Sequence, residues 1–478
     1  MQQIAWFLAR PEGSLSLAGR VVSRDSPTNI LGWPVVCRVF AGTHPARDQA
    51  GIGTPRLQPA MKTSTSRHIL LLAVIGLPMI APAQPTRPVE NETETALSGV
   101  LQVAVDRKDV PGVVAMAGDR LGVVYQGAFG RAETAGGRAL GTDAIFRIAS
   151  MTKAVTAVAL MQLVEAGRVS LDDPAAKYLP QLAHPVIFES FDAATRDYKV
   201  RPATRVITVR HLLTHTSGLG YGFTSATLRD FKPRDGEHYE AGPLLFEPGT
   251  DWLYGTGIDW VGRLVETLSS QTIEDYFQAR IFRPLQMVDT SYNVPAPKHG
   301  RIVNLHRRLT DGSFEERPRT APKILTSFNG GGGLYSTAGD YLRFLRMILN
   351  NGELDGARVL ARETVALMGR NQIGDVGVHA LKSALPEMSA DFQFVADGRD
   401  KWGLSFQITS DHVAGKRAAG SLSWGGINNT YFWVDPATGV AGVILMQFLP
   451  FSDPRALALY DAFERGVYQI IGKKTVAK

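Results

Sequence analysis

Ser150-Met-Thr-Lys153 sets a hydroxyl and an amine three residues apart, a spacing that puts both on one face of a helix. A serine hydroxyl is a poor nucleophile until a neighbour removes its proton, and a lysine kept partly neutral can do so. The run Ala154-Val-Thr-Ala-Val-Ala-Leu-Met-Gln-Leu-Val-Glu165 recurs apolar at helical spacing, so Ser150 is expected at a helix N-terminus. The tetrapeptide alone is weak evidence, because a capping serine and a solvated lysine spell the same letters. Its company strengthens it. Phe246-Glu-Pro-Gly-Thr-Asp-Trp-Leu-Tyr254 precedes an apolar helix and puts a phenol on a loop. A phenol beside an ammonium is easier to ionise and can hand the serine proton to a leaving group. The two titrations would be coupled, so spacing does not say whether Lys153 or Tyr254 is the base. Ser423-Trp-Gly-Gly-Ile427 precedes a strand. Paired glycines let backbone approach a ligand closely, so Trp424, Gly425 and Gly426 are expected to meet substrate, and the Ile427 N–H to join that of Ser150 in an oxyanion hole.

The elements around these residues read in order. A helix near residue 97 leads to β-rich runs Val113–Ala117 and Leu121–Tyr125. The helix after Ser150 stops near Glu165-Ala-Gly167. Residues 175–325 are expected to be mostly helical segments broken by Pro/Gly-rich loops, and Gly330–Thr337 a loop feeding the amphipathic helix 338–349. Strand runs at 403–408, 429–434 and 441–448 and a closing helix, 454–471, end the chain. Strands at both ends around a helical middle predict an α/β (α+β) fold. Its sheet is mixed and largely antiparallel, flanked by helices, with an inserted mainly helical region. The sheet domain is expected from 84–174 and 326–478, the helical domain from 175–325.

Ser-x-x-Lys, His211-Leu-Leu-Thr-His-Thr-Ser-Gly-Leu219, Pro248-Gly-Thr…Tyr254 and Gly330–Thr337 together resemble the serine β-lactamase-related hydrolases over about residues 97–470. That family includes class C β-lactamases, D-alanyl-D-alanine carboxypeptidases and family VIII carboxylesterases. The resemblance implies Ser150 as acylated nucleophile, Lys153 and Tyr254 as the proton-handling pair, and a two-step acyl-enzyme route needing no cofactor. Two departures point to a subgroup. Tyr254 is followed by Gly255 and Thr256 where the lactamases and peptidases carry Tyr-x-Asn. Trp424-Gly425-Gly426 stands where they carry Lys-Thr-Gly or His-x-Gly, and an indole cannot bind a substrate carboxylate. Trp-Gly-Gly is similar to the motif of family VIII esterases and related acyltransferases, whose substrates are neutral esters. Lys416 and Arg417, a few residues upstream, could restore a charge.

The expected function is therefore a serine carboxylesterase for short- to medium-chain acyl esters. A β-lactamase or D-Ala-D-Ala carboxypeptidase, an acyltransferase, and a catalytically inactive binding homologue remain as alternatives. Segments 183–207, 222–245 and 375–400 are the expected sources of acyl selectivity. His211 and His215 share a helical face, but no third ligand or His-Glu-x-x-His stands nearby, so no metal is expected. No Gly-x-Ser-x-Gly elbow occurs; Ser421-Leu-Ser-Trp-Gly425 lacks the first glycine. Gly330–Gly333 lacks the Lys-Ser/Thr of a phosphate loop.

Charge and leader bound the setting. The 478-residue chain carries a net charge of +6, but residues 84–478 hold 43 basic against 42 acidic side chains. The basic excess belongs to the leader, and nothing in the body argues for nucleic acid or an anionic membrane surface. Met61-Lys-Thr-Ser-Thr-Ser-Arg67, the apolar Ile69–Ile80 and Ala81-Pro-Ala83 form a positive start, a stretch too short to span a bilayer and a small-x-small cleavage pattern. The pattern predicts a bacterial-type export signal at 61–83, with residues 1–60 a mis-called upstream extension. An exported, periplasmic or secreted protein acting on a small-molecule ester is expected, without stable membrane insertion. The single cysteine, Cys37, lies in the extension, so the body has no disulfides.

Overall fold

The computed structural model describes residues 92–133, 137–317, 322–392 and 398–476, all within one unit, Ala83–Lys478. The extension and the export signal read at 1–60 and 61–83 lie outside the described residues.

Seven strands form the main sheet: β1 (Gly112–Asp119), β2 (Val123–Gly130), β3 (Lys401–Trp402), β4 (Gln407–Ile408), β5 (Leu422–Gly426), β6 (Thr430–Asp435) and β7 (Val440–Leu445). Their order is β3-β4-β5-β6-β7-β1-β2, with every neighbouring pair antiparallel. The two ends of the chain meet where β1 pairs with β7, from Val114 opposite Leu445 to Asp119 opposite Val440.

Helices cover both faces, and side-chain alternation along a strand shows how. Trp433 packs on Tyr460 and Phe463 of α6 (Pro454–Val476), while its neighbour Phe432 packs on Tyr341 of α5 (Ala338–Leu349). Helix α1 (Glu92–Asp106) lies beside α6 and β2. Helix α2 (Thr152–Glu165) is buried nearly all round, as a helix apolar on every side must be. It packs on α4 (Gly257–Ser269), which also holds the short α3 (Val209–Thr214).

Two expectations need correcting. Residues 186–202 are an antiparallel hairpin, Val186–Phe191 with Tyr198–Pro202, and not a helix or an irregular loop. The turn is fixed by Asp192, whose side chain accepts from the N–H groups of Ala194 and Thr195. The run 403–408 is not one strand. Ser405 takes φ +72° and the chain folds back, so the two-residue strands β3 and β4 pair across the turn 403–406.

Candidate active site

The candidate nucleophile stands on a constrained turn. Phe146-Arg147 pairs with Tyr335-Ser336, and the Ile148 N–H donates to the Leu334 carbonyl at 3.0 Å. Ala149 then adopts φ +46°, a left-handed conformation that costs a non-glycine residue energy and that recurs at functional sites. A 3-10 turn, Ala149–Met151, carries Ser150 into α2, whose first turn bears Lys153. Tyr341 of α5 donates to the Met151 carbonyl at 2.9 Å and ties the turn to the sheet layer.

Lys153 is 1% exposed. Its ammonium donates to Ser150 Oγ at 3.2 Å, to the Tyr221 hydroxyl at 3.0 Å and to the Gly331 carbonyl at 2.6 Å. The Gly-rich segment thus lies along α2 as an acceptor, with Thr156 also donating to the Gly330 carbonyl at 2.6 Å. The Lys153 ammonium sits 5.0 Å from the ring centre of Tyr254. The Tyr254 hydroxyl is buried with no hydrogen-bond partner among the described residues.

Ser150, Tyr254, Trp424, Gly425 and Ile427 line one cavity of about 130 Å³. Tyr221, Phe223, Phe392 and Phe451 complete its wall. Phe223 and Phe392 come from two of the three segments expected to set acyl selectivity; among the described residues, 183–207 contributes no lining side chain. Trp424 is 3% exposed, with its ring 4.8 Å from that of Tyr254 and 4.7 Å from that of Trp402. Gly426, expected to face substrate, packs elsewhere. A Cβ there would meet the Ile148 carbonyl oxygen at 2.2 Å, so its bareness lets β5 press against the backbone before Ser150.

His211 and His215 have local duties. His211 Nδ1 accepts from the Thr208 N–H while the Thr208 hydroxyl accepts from the His211 N–H, a capping box that starts α3. Burial, with Arg205 beside it, lowers His211 to about 4. His215 Nδ1 accepts from the Gly255 N–H at 3.3 Å, and its ring lies 4.7 Å from that of Tyr254. Burial, and then the Lys153 charge, hold it well below the usual histidine range, so it is a neutral support for the tyrosine loop. Lys416 and Arg417 do not line the Ser150 cavity; both pair with Glu464 of α6. They line a larger cleft of about 390 Å³ that Ser150 does not reach.

This arrangement can be compared with known proteins. The beta-lactamase family model matches residues 97–465. The chain belongs to the beta-lactamase family. It is 33% identical to the acyltransferase CalJ of Penicillium decumbens over 69% of this chain and 82% of the relative. It is 30% identical to the lovastatin esterase of Penicillium rubens over 77% and 96%. Unliganded simvastatin synthase from Aspergillus terreus superposes with a TM-score of 0.66 at 29% identity, covering 79% of this chain and 98% of the other. The mixed α/β architecture is that of the beta-lactamase family, whose members are serine hydrolases or acyltransferases.

Two cavity neighbours escaped the sequence reading. Tyr221 follows the His211–Leu219 motif by two residues and looks like an ordinary loop aromatic. Asp259 lies in the first turn of α4, where an acid reads as a complement to the helix dipole. The Tyr221 hydroxyl donates to Asp259 Oδ2 at 3.2 Å.

Proposed function

We propose that the protein is a serine carboxylesterase that acylates Ser150 with a short to medium, uncharged acyl group. The observation that carries this reading is the Lys153 ammonium 3.2 Å from Ser150 Oγ, beside a cavity that Ser150 and Tyr254 both line, the Tyr254 hydroxyl having no partner among the described residues. Ser150 Oγ attacks the ester carbonyl carbon, and its proton passes to the Tyr254–Lys153 pair. That pair gives a proton to the departing alkoxide as the ester C–O bond breaks, leaving the acyl group on Ser150. The N–H groups of Ser150 and Ile427 supply the oxyanion hole in this reading. Water then takes the acyl group by the same steps in reverse order.

Acyl transfer to an alcohol is supported about equally. It needs the same residues and only a different second nucleophile, and both acyltransferases and an esterase stand among the relatives. β-Lactam or peptide turnover is the weaker reading. Trp424 and Tyr254 face a cavity walled by aromatics, and the nearby cations are tied to α6. Export through the leader at 61–83 belongs to the same proposal, carried by that segment's charge and apolar pattern. No helix among the described residues is long and apolar enough to cross a membrane.

The test is product partition. Purified protein is given p-nitrophenyl butyrate with and without a second alcohol, beside a chromogenic cephalosporin. Release of butyrate identifies an esterase and formation of the new ester a transferase. Dominant cephalosporin turnover contradicts both.

A further inference from the structure

We propose that Asp259, acting through the Tyr221 hydroxyl, is the counter-ion that holds the Lys153 ammonium in place, leaving Tyr254 as the phenol free to take up the Ser150 proton as it gives its own to the departing alkoxide. The inference rests on the Ser150 acyl-enzyme reading and adds two positioning residues to it.

Hydrogen-bond direction carries the argument. A lysine ammonium has three protons and no acceptor, and those of Lys153 point to Ser150 Oγ, Tyr221 and Gly331. The Tyr221 oxygen therefore accepts a hydrogen bond from Lys153, and its own hydroxyl donates to Asp259 Oδ2. A phenol bound on both sides this way is a fixed link. Burial first, and then Asp259 and Tyr254, push Tyr221 well above the usual phenol range, which agrees with a phenol that stays protonated.

Two phenols flank the ammonium, with ring centres 5.3 Å (Tyr221) and 5.0 Å (Tyr254) away. Distance does not separate them; partners do. The Tyr254 hydroxyl has none among the described residues, and Tyr254 lines the Ser150 cavity.

Among the described residues the ionisable groups facing Lys153 are few. The neutral His215 comes from the end of α3, Tyr221 from the segment after it, Tyr254 from the loop before α4, Asp259 from the first turn of α4, and Ser150 from Lys153's own turn. Asp259 is the carboxylate among them. Burial raises its pKa, while the Lys153 charge and the Tyr221 hydrogen bond pull the other way. Its place in the first turn of α4 also favours the anion. The fold keeps room for it: a Cβ on Gly331 would stand 2.5 Å from Asp259 Oδ2.

The test compares pH profiles of kcat/KM for p-nitrophenyl butyrate in the wild type, Asp259→Asn, Tyr221→Phe, the double variant and Ser150→Ala, with Tm for each. Either break should lower kcat by about 100-fold, the scale of a misplaced catalytic group, with KM within about twofold. Asp259→Asn removes the carboxylate that offsets the ammonium's charge, so its alkaline limb should move to lower pH; Tyr221→Phe, which cuts the link but keeps the carboxylate, should move it in the same direction by less. The double variant should lose no more than Asp259→Asn alone, because the two residues form one relay. Unmoved limbs, or losses that multiply in the double variant, would overturn the relay. Tyr221→Phe keeps the test open if Asp259→Asn folds poorly. Ser150→Ala separates the two levels: an inactive Ser150→Ala with unmoved limbs removes the relay only, whereas an active one removes the acyl-enzyme reading and the relay together.

Discussion

Two cations, the buried Lys153 and the half-buried Arg417, stand on different layers of this molecule, and they are held in opposite ways. Arg417 meets its carboxylate directly: Nε lies 2.7 Å and Nη2 2.9 Å from the two oxygens of Glu464, and Nη2 2.7 Å from the Tyr460 hydroxyl. Glu464 is fully buried, and Lys416 adds a contact at 3.3 Å. Lys153 touches no carboxylate in this way. It spends its protons on a serine, a phenol and a carbonyl, and its carboxylate lies one phenol away. A directly paired charge is locked and inert. A charge held by neutral acceptors stays beside the nucleophile, free to steady charge that develops there.

That contrast can be broken from either side. The largest expected effect is on activity at Lys153. Lys153→Met should cost about 1000-fold or more in kcat/KM, because Ser150 and Tyr254 lose the ammonium that steadies the proton transfer between them. Its Tm should stay within a few degrees of wild type. A collapse of Tm would make Lys153 a structural cation like Arg417.

The opposite pattern is expected at Glu464. Glu464→Gln leaves Arg417 without its anion and should cost about 3 kcal/mol of stability, read by denaturant unfolding. The folded fraction should keep wild-type kcat. Although burial pushes the Glu464 carboxyl up, Arg417 and Lys416 hold it below its usual range. A depressed carboxylate contributes stability above its unfolded pKa of about 4.3 and loses it as pH falls through the folded value. Wild-type stability should therefore fall below about pH 4.3, and the Glu464→Gln curve should be flatter there.

The smallest effect concerns the cavity wall. Phe392→Ala lengthens the pocket beside Ser150 and should shift kcat/KM toward hexanoate over butyrate by about 10-fold. An unchanged chain-length profile would detach Phe392 from acyl selection.

The parts of the site legible in the sequence were those whose chemistry is local. The Ser150–Lys153 spacing lies within one helical turn, and Tyr254 follows a Pro-Gly-Thr loop that leads into a helix. Tyr221 and Asp259 were not legible, because their meaning exists only across the fold. Tyr221 is 68 positions from Lys153, and Asp259 is 38 from Tyr221. Gly426 was read as open to substrate, whereas the approach it permits is to the Ile148 carbonyl across the sheet edge. The sheet was readable from its two clusters of β-rich runs. The 186–202 hairpin was missed because its strand signal is interrupted by Glu189-Ser190 and a polar turn.

The most direct test of the account is the mass of the protein after brief reaction with p-nitrophenyl butyrate and acid quench. The account predicts a single butyryl adduct mapping to the peptide that contains Ser150, absent from Ser150→Ala. An adduct on another residue, or turnover by Ser150→Ala without any adduct, would contradict it.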